Sequence, residues 1–366
     1  MFDAFDHQCM ARALQLAERG LRGTDPNPRV GCVLAKDGEL IAEAWHERCG
    51  GPHAEPLALD QAGARACGAT AYVTLEPCSH QGRTPSCASA LIAAELARVV
   101  AAGPDPNPLV NGQGFERLKA AGITVNTGLL RERAEALNAG FFKRMREHRP
   151  WVRVKLALSL DGKSALANGI SQWITGEAAR QDVQEWRARS SAVLTGIGTV
   201  LTDDPALNVR LGKDDRQPLR VIVDSRWRTP PGAKALSLPG PVLIAGRGDC
   251  NVPAGLVDSP AELLALPADE SGRVDLHSLL TALAERAVNE VQVEAGARLA
   301  GALLEQGLAD ELLIYQAPLL LGEGSRGAFV LGPFASMQQR LQLQKLESVV
   351  LGQDTRLRFI PRYGSA

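Results

Sequence analysis

His53, Cys78 and Cys87 offer one imidazole and two thiolates, and no single helix or strand of this chain can present all three together. To share a metal ion they must arrive from separate elements, so the chain needs a fold in which a strand end and two helix starts converge. Zinc takes such ligands, and three of them leave the fourth tetrahedral position open. Glu55 lies two residues past the histidine. From there a carboxylate can move a proton at the open position without binding the metal. His80 is the competing fourth ligand; with it the site would be closed and structural, and Glu55 would have no purpose beside the metal.

At 366 residues the chain exceeds one ordinary core, and two domains are expected. A formal net charge of −1, with no block of like charges, argues against a general nucleic-acid binder. No apolar run approaches the roughly 20 residues of a membrane helix, and the acidic, mixed start of the chain does not read as a signal peptide. Seven cysteines form no disulfide framework. A cytoplasmic location fits, with Cys9, Cys32, Cys49, Cys67 and Cys250 read as small core residues.

In the first half, helical spacing runs over 7–22 and ends at Asp25-Pro-Asn-Pro28. Apolar runs at 30–35 and 40–45 flank Asp37-Gly38, a hairpin signal. Helices are expected at 53–64 and 86–94, strands at 69–75 and 97–102, and a strand-and-helix unit over 122–143. Strands alternating with helices imply an α/β sheet with helices on both faces. The polar stretch 143–150 reads as a linker, which sets domains of 1–147 and 148–366. In the second half strands are expected at 152–159, 192–195, 220–224, 242–245, 290–294, 312–316 and 356–360. Helices are expected at 176–189, 276–286 and 298–306.

Several residues outside the cluster invite chemistry. Asn27 precedes a strand of the same sheet; its amide either shapes a turn or hydrogen-bonds a pyrimidine edge. His46 and His80 are near the cluster in sequence, while His7, His148 and His277 have no such context. In the second half Gly196-Ile-Gly198-Thr199 and Gly296-Ala297 each follow a strand, where small residues let N–H groups approach a pyrophosphate. The usual Gly-x-Gly-x-x-Gly fingerprint is absent after the first strand. Ser225 and Arg226 follow a strand ending in Asp224 and suit the extra phosphate of NADP. Arg187 and Arg210 suit a substrate phosphate, with surface ion pairs as the plain alternative.

The pairing of His-x-Glu with Pro-Cys and a second cysteine is the signature of zinc nucleobase deaminases, although the second cysteine is further off than Pro-Cys-x-x-Cys allows. Asn27-Pro-x-Val-Gly31, Pro52-His-Ala-Glu55, Thr74-Leu-Glu-Pro-Cys-Ser-His80-x-Gly-Arg83-Thr-Pro85-x-Cys87 and Asp105-Pro-Asn-Pro-x-Val-x-Gly112 together resemble the bifunctional deaminase/reductase family of riboflavin biosynthesis. That family carries the long insertion between its zinc cysteines. The resemblance continues in Lys155-x-Ala-x-Ser-Leu-Asp-Gly162, Ser171-Gln-Trp-Ile-Thr175, Asp203-Asp-Pro-Ala-Leu-x-Val-Arg210 and Val293-Glu-Ala-Gly-x-x-Leu-Ala-Gly301. Ser86 stands where the family commonly has a second proline.

The resemblance implies a cytidine-deaminase-like three-layer domain, then a dihydrofolate-reductase-like α/β domain, with Zn2+ and NADPH as cofactors. The first would deaminate a diaminopyrimidinone carrying a phosphoribosylamino group, with Glu55 shuttling the proton and Asn27, His46, His80 and Arg83 in the substrate pocket. The second would reduce the ribosyl group to ribityl. Position by position, NADPH would meet Ala157, Trp173, Thr199, Asp203, Ser225, Gly296, Ala297, Arg298, Leu299, Ala300, Gly301 and Ala302. Substrate would meet Ser171, Arg187, Leu207, Arg210 and Glu294. Lys155 and Asp203 are candidate proton donors. Two other readings stand beside this one, a nucleic-acid base deaminase with an accessory nucleotide-binding domain and a zinc-stabilised regulatory scaffold. The expected partner is the small phosphoribosyl pyrimidine, with no nucleic acid or membrane, and homo-oligomers are possible.

Overall fold

A computed structural model describes residues 1–79, 86–108, 110–212 and 216–364. The chain divides into two compact units, Met1–His148 and Arg149–Ala366.

The first unit is a five-stranded sheet in the order β2-β1-β3-β4-β5: Glu39–Trp45, Gly31–Lys36, Thr70–Val73, Arg98–Ala101 and Thr124–Thr127. β1 runs antiparallel to both of its neighbours, β2 and β3, while β3, β4 and β5 run parallel. Asp37 and Gly38 both adopt positive φ, 53° and 81°, as a two-residue hairpin with primed turn geometry requires. Alternation decides which layer each strand residue feeds. Cys32, Leu34, Ala71 and Val73 face one core beneath helices α2 (Ala54–Ala62), α3 (Cys87–Ala93) and α4 (Gln113–Ala120). Val33, Ala35, Tyr72 and Val100 face the other, beneath α1 (Ala4–Glu18) and α5 (Arg131–Leu137). The result is the expected three-layer arrangement.

Two sequence expectations are corrected here and one unexpected helix is added. Residues 143–147 are not linker but the end of α6, Ala139–Glu147. That helix buries Phe141 and Phe142, and Arg144 and Arg146 lie over those rings, so its charge conceals an anchored element. Helix α4 was not anticipated because only Gly114, Phe115 and Leu118 of its residues are buried. Of the cysteines read as core, Cys9 and Cys32 are buried, but Cys49 and Cys67 are exposed and Cys250 is half-buried.

The second unit holds a nine-stranded sheet. Its strands are β6 Trp151–Ser159, β8 Ala192–Gly196, β9 Leu219–Val223, β10 Val242–Arg247, β11 Glu262–Leu266, β12 Glu290–Val293, β13 Glu311–Ala317, β15 Gln342–Leu351 and β16 Asp354–Arg362. The order is β11-β10-β9-β8-β12-β6-β13-β16-β15. Pairings from β11 through β13 are parallel, and the last two are antiparallel. A small ribbon pairs β7 (Lys163–Ala165) with β14 (Arg326–Gly327). Strands β11 and β15 went unread in the sequence. β11 is only partly buried, and β15 is an edge strand whose side chains are mostly exposed, so neither carries the continuous apolar run of a central parallel strand.

On one face Trp186, from helix Glu177–Arg189, sits among the guanidiniums of Arg153, Arg189, Arg356 and Arg358, 4.5 to 5.6 Å from its ring. Glu311 supports this cluster, accepting from Arg153 Nε at 3.0 Å, Arg358 Nε at 2.6 Å and Trp151 Nε1 at 3.1 Å. Burial would raise its pKa, but the two guanidiniums outweigh that and hold it low. Replacing Glu311 by Ala leaves Glu290 as the remaining carboxylate on buried Arg153 and removes the acceptor of Arg358 Nε and Trp151 Nε1. It should destabilise the second unit by up to about 3–5 kcal/mol in urea unfolding followed by tryptophan emission. An unchanged midpoint would show that the cluster is not a net stabiliser.

Candidate active sites

His53 is the N-cap of α2, Cys87 opens α3, and Cys78 lies in the turn that follows β3. Ser86 caps α3, its Oγ accepting from Ser89 N at 3.2 Å, which fixes the turn carrying Cys87. Cys87 N donates to Cys78 Sγ at 3.3 Å, and Ala88 N donates to the Cys78 carbonyl at 3.1 Å. The imidazole Nδ1 of His53 then lies 3.2 Å from Cys87 Sγ and 3.7 Å from Cys78 Sγ. All three ligand atoms fall within 4.8 Å of one another. Ordinary zinc–nitrogen and zinc–sulfur bond lengths around a tetrahedral ion put nitrogen and sulfur about 3.6 Å apart, so the donor set fits zinc.

Glu55, in the first turn of α2, is 3 % exposed, and its Oε2 is a buried acceptor without a hydrogen-bond partner. Burial raises its pKa, with the His53 charge opposing. Without a metal the two sulfurs share one proton, Cys78 being lowered chiefly because Cys87 donates to it and Cys87 raised chiefly by that same bond; zinc would hold both as thiolates. His53 is raised by its bond to Cys78.

His46 stands edge-on to His53, with ring centroids 5.3 Å apart. Its Nδ1 donates to the Pro52 carbonyl at 2.9 Å, which leaves Nε2 as acceptor for Asn27 Nδ2 at 3.2 Å. Burial lowers its pKa, so it stays neutral. Asn27, His46, His53 and Glu55 thus form one continuous set, while His80 and Arg83 lie outside the described residues. The sequence reading gave no role to Glu76, which is buried and accepts three backbone N–H groups from the 105–114 segment. Its signal was a carboxylate directly before Pro77-Cys78, opposite a second motif with glycines at 112 and 114.

In the second unit a cavity of about 2450 Å³ opens at the C-terminal ends of the parallel strands, the usual ligand position in such sheets. Ala157, Ser171, Trp173, Arg187, Thr199, Asp203, Leu207, Arg210, Ser225, Glu294, Gly296, Ala297, Arg298, Leu299 and Ala302 all line it, with Lys155. Ala300 and Gly301 face elsewhere. Ala300 is fully buried in the core, and a Cβ at Gly301 would lie 1.9 Å from the Val330 carbonyl oxygen. Gly296 caps helix Ala297–Glu305, and nothing lies within 4 Å of where its Cβ would stand. Backbone N–H groups at that helix start are therefore open to an anion, which suits a dinucleotide.

Glu294 and Arg187 are paired bidentately at 2.6 and 2.8 Å, and Arg187 Nη1 also donates to the Asn208 carbonyl at 2.9 Å. Most of the guanidinium is thus engaged within the protein, and Arg210, which is exposed, is the freer phosphate partner. Gln292 donates to Glu294 at 2.8 Å and is fully buried. It was missed in sequence, although its position two residues earlier on the same strand puts it on the same face. Burial raises Glu294, but Arg187 and then Lys155 outweigh it and bring the carboxyl to about 2. Burial lowers Lys155, against the pull of Glu294. Asp203 is raised by burial, with Arg326 opposing.

Residues 3–103 match the family model for the cytidine and deoxycytidylate deaminase zinc-binding region, and 150–357 match that for the RibD C-terminal domain. Fold and sites therefore define a zinc deaminase unit followed by a reductase unit. Riboflavin biosynthesis protein RibD of Escherichia coli strain K12 is 47% identical, covering 97% of this chain and 99% of its own length. That of Haemophilus influenzae is 45% identical, over 99% of both. Among solved structures, Acinetobacter baumannii RibD superposes with a TM-score of 0.91 at 48% identity, covering 98% of this chain and 99% of its own. A Thermotoga maritima diaminohydroxyphosphoribosylaminopyrimidine deaminase/5-amino-6-(5-phosphoribosylamino)uracil reductase gives 0.86 at 34% identity, with 98% and 99% coverage. The chain belongs to the RibD family, the bifunctional deaminase/reductases of riboflavin biosynthesis.

Proposed function

We propose that the first unit releases ammonia from a diaminopyrimidinone bearing a phosphoribosylamino group, and that the second reduces the ribosyl group of that product to ribityl. The observation that carries this reading is a buried, unpartnered Glu55 oxygen beside three convergent zinc-type donors, on a chain that also holds the large second cavity. His53, Cys78 and Cys87 would hold zinc. When bound, zinc supplies Lewis-acid activation of water. Glu55 takes and returns the proton, its burial keeping it basic enough to do so. Neutral His46 orients the Asn27 amide, which is left to bind the pyrimidine edge. These roles are supported by the hydrogen bonds described above.

In the second unit NADPH would lie along Gly296 to Leu299 and Ala302, and against Ala157, Trp173, Thr199, Asp203 and Ser225. Hydride transfer is the chemistry that cofactor supplies. Ser171, Leu207 and Arg210 bind the substrate, while Arg187 and Glu294 hold each other and present a fixed polar edge. Lys155, half-buried in the cavity wall and lowered in pKa by desolvation while Glu294 opposes, is the proton donor we propose.

The partner is a small phosphorylated pyrimidine, not nucleic acid, in keeping with the net charge of −1. Among the described residues no helix is long and apolar enough to cross a membrane. We infer a cytoplasmic setting, supported by free thiols at Cys49 and Cys67 on the surface; a homo-oligomer is also part of the proposal. Incubating the purified chain with the phosphoribosyl diaminopyrimidine tests the whole reading. One ammonia should appear per substrate, and NADPH oxidation should begin only after deamination. NADPH oxidation driven by dihydrofolate, or deamination of single-stranded nucleic acid, would overturn it.

A further inference from the structure

Eight residues lie between Cys78 and Cys87, whereas the short zinc-deaminase pattern places two between its cysteines. In the short pattern the intervening chain itself limits how far the sulfurs can part. A longer connection spans too wide a range of distances to do so, and something else must fix the pair.

Helix α4 touches the chain on both sides of that connection. Glu76, two residues before Cys78, accepts from Asp105 N at 3.1 Å and Gly112 N at 2.9 Å through Oε2, and from Gly114 N at 2.9 Å through Oε1. A Cβ at Gly114 would lie 2.0 Å from the carbonyl oxygen of Pro77. The first turn of α4 therefore abuts the peptide that precedes Cys78, an approach only glycine allows. Further along the same helix, Arg117 Nη1 donates to the Ser79 carbonyl at 3.2 Å and to Ser86 Oγ at 3.3 Å. Ser79 follows one zinc-type cysteine directly and Ser86 precedes the other. One helix thus holds the neighbours of both sulfurs.

We propose that α4 is a brace that sets the separation of the Cys78 and Cys87 thiolates, with Glu76 and Arg117 as positioning residues for the metal site. This inference rests on the zinc reading of the site. Partners beyond the ligands themselves typically carry a 10–100-fold effect on metal affinity. Glu76→Gln keeps the shape but turns an NH2 group toward backbone N–H donors. Arg117→Ala removes both links across the insertion, and because the side chain is exposed this variant should fold.

The test uses the full chain, stripped of metal and titrated with zinc against a chromogenic chelator, with cobalt(II) as an absorption probe of ligand geometry. Both variants should bind zinc about 10–100-fold more weakly and shift the cobalt bands. Arg117→Lys should recover part of the affinity, and NADPH-dependent reduction of the deaminated substrate should be unchanged in all three. Zinc affinity and cobalt bands unchanged in Arg117→Ala, even with a lower Tm, would reduce the brace to packing and overturn the inference. If Glu76→Gln does not fold, Arg117→Ala decides alone. An unaltered chain that binds neither metal would instead sink the zinc reading, and the brace with it.

Discussion

Changing Glu55 to Gln should lower ammonia release by roughly 10²–10⁴-fold, the usual contribution of a positioned acid–base group, while zinc stays bound. The amide matches the carboxylate in shape, so α2 and His53 at its N-cap need not move. It cannot take up or return a proton. Oε2 of Glu55 is buried without a partner in the protein, so no other described hydrogen bond at that oxygen is lost with the substitution. NADPH oxidation with already deaminated substrate should proceed at its normal rate, since Lys155, Arg187 and Glu294 are untouched. A steady-state ammonia assay, NADPH oxidation with the deaminated substrate and metal content measure the three quantities. Undiminished ammonia release would remove Glu55 from the chemistry.

The converse pattern is expected from Glu294→Gln. Bidentate pairing with Arg187 and the bond from Gln292 hold this carboxylate at the floor of the second cavity. A neutral amide leaves Arg187 and Lys155 without their counter-charge, and a shift of about 1 Å in such a group can cost about 10²-fold in rate. Reduction should therefore fall by about that factor while ammonia release is retained. Breaking a buried pair also costs up to about 3–5 kcal/mol of stability.

The pH dependence has a definite sign. Glu294 ionises more readily folded, at about 2, than its ordinary value of 4.5. Its stabilisation is thus complete above about pH 4.5 and lost as the pH falls toward about 2. The gap in urea midpoint between the parent chain and Glu294→Gln should be flat from pH 8 to about 5 and close below 4.5. A gap that widens in acid would mean that the pairing is misassigned.

Much of the first site was legible because its chemistry is written in short words. Pro52-His-Ala-Glu55 places a ligand at a helix cap and a carboxylate in the first turn, and the structure has His53 and Glu55 in those positions. The Asp37-Gly38 hairpin was equally readable, since both residues tolerate the positive φ they adopt. What escaped reading depended on contacts remote in sequence. Glu76 draws its donors from residues 29 to 38 positions away, and no local pattern announces them. Arg187 read as a phosphate clamp because its partner Glu294 lies 107 residues on. The end of helix α6 read as a linker because charged residues crowd 143–147, past the two phenylalanines that anchor the helix. Periodicity sees faces, whereas these elements are held by a few buried groups.

The central claim is that one imidazole and two thiolates bind zinc and leave a place for solvent. X-ray absorption at the zinc edge of the metal-loaded full chain addresses it directly. The account requires two sulfurs at about 2.3 Å, with one imidazole nitrogen and one light atom from solvent at about 2.0–2.1 Å. A second imidazole in the shell, as a closed site with His80 would give, or a shell lacking sulfur, would contradict it.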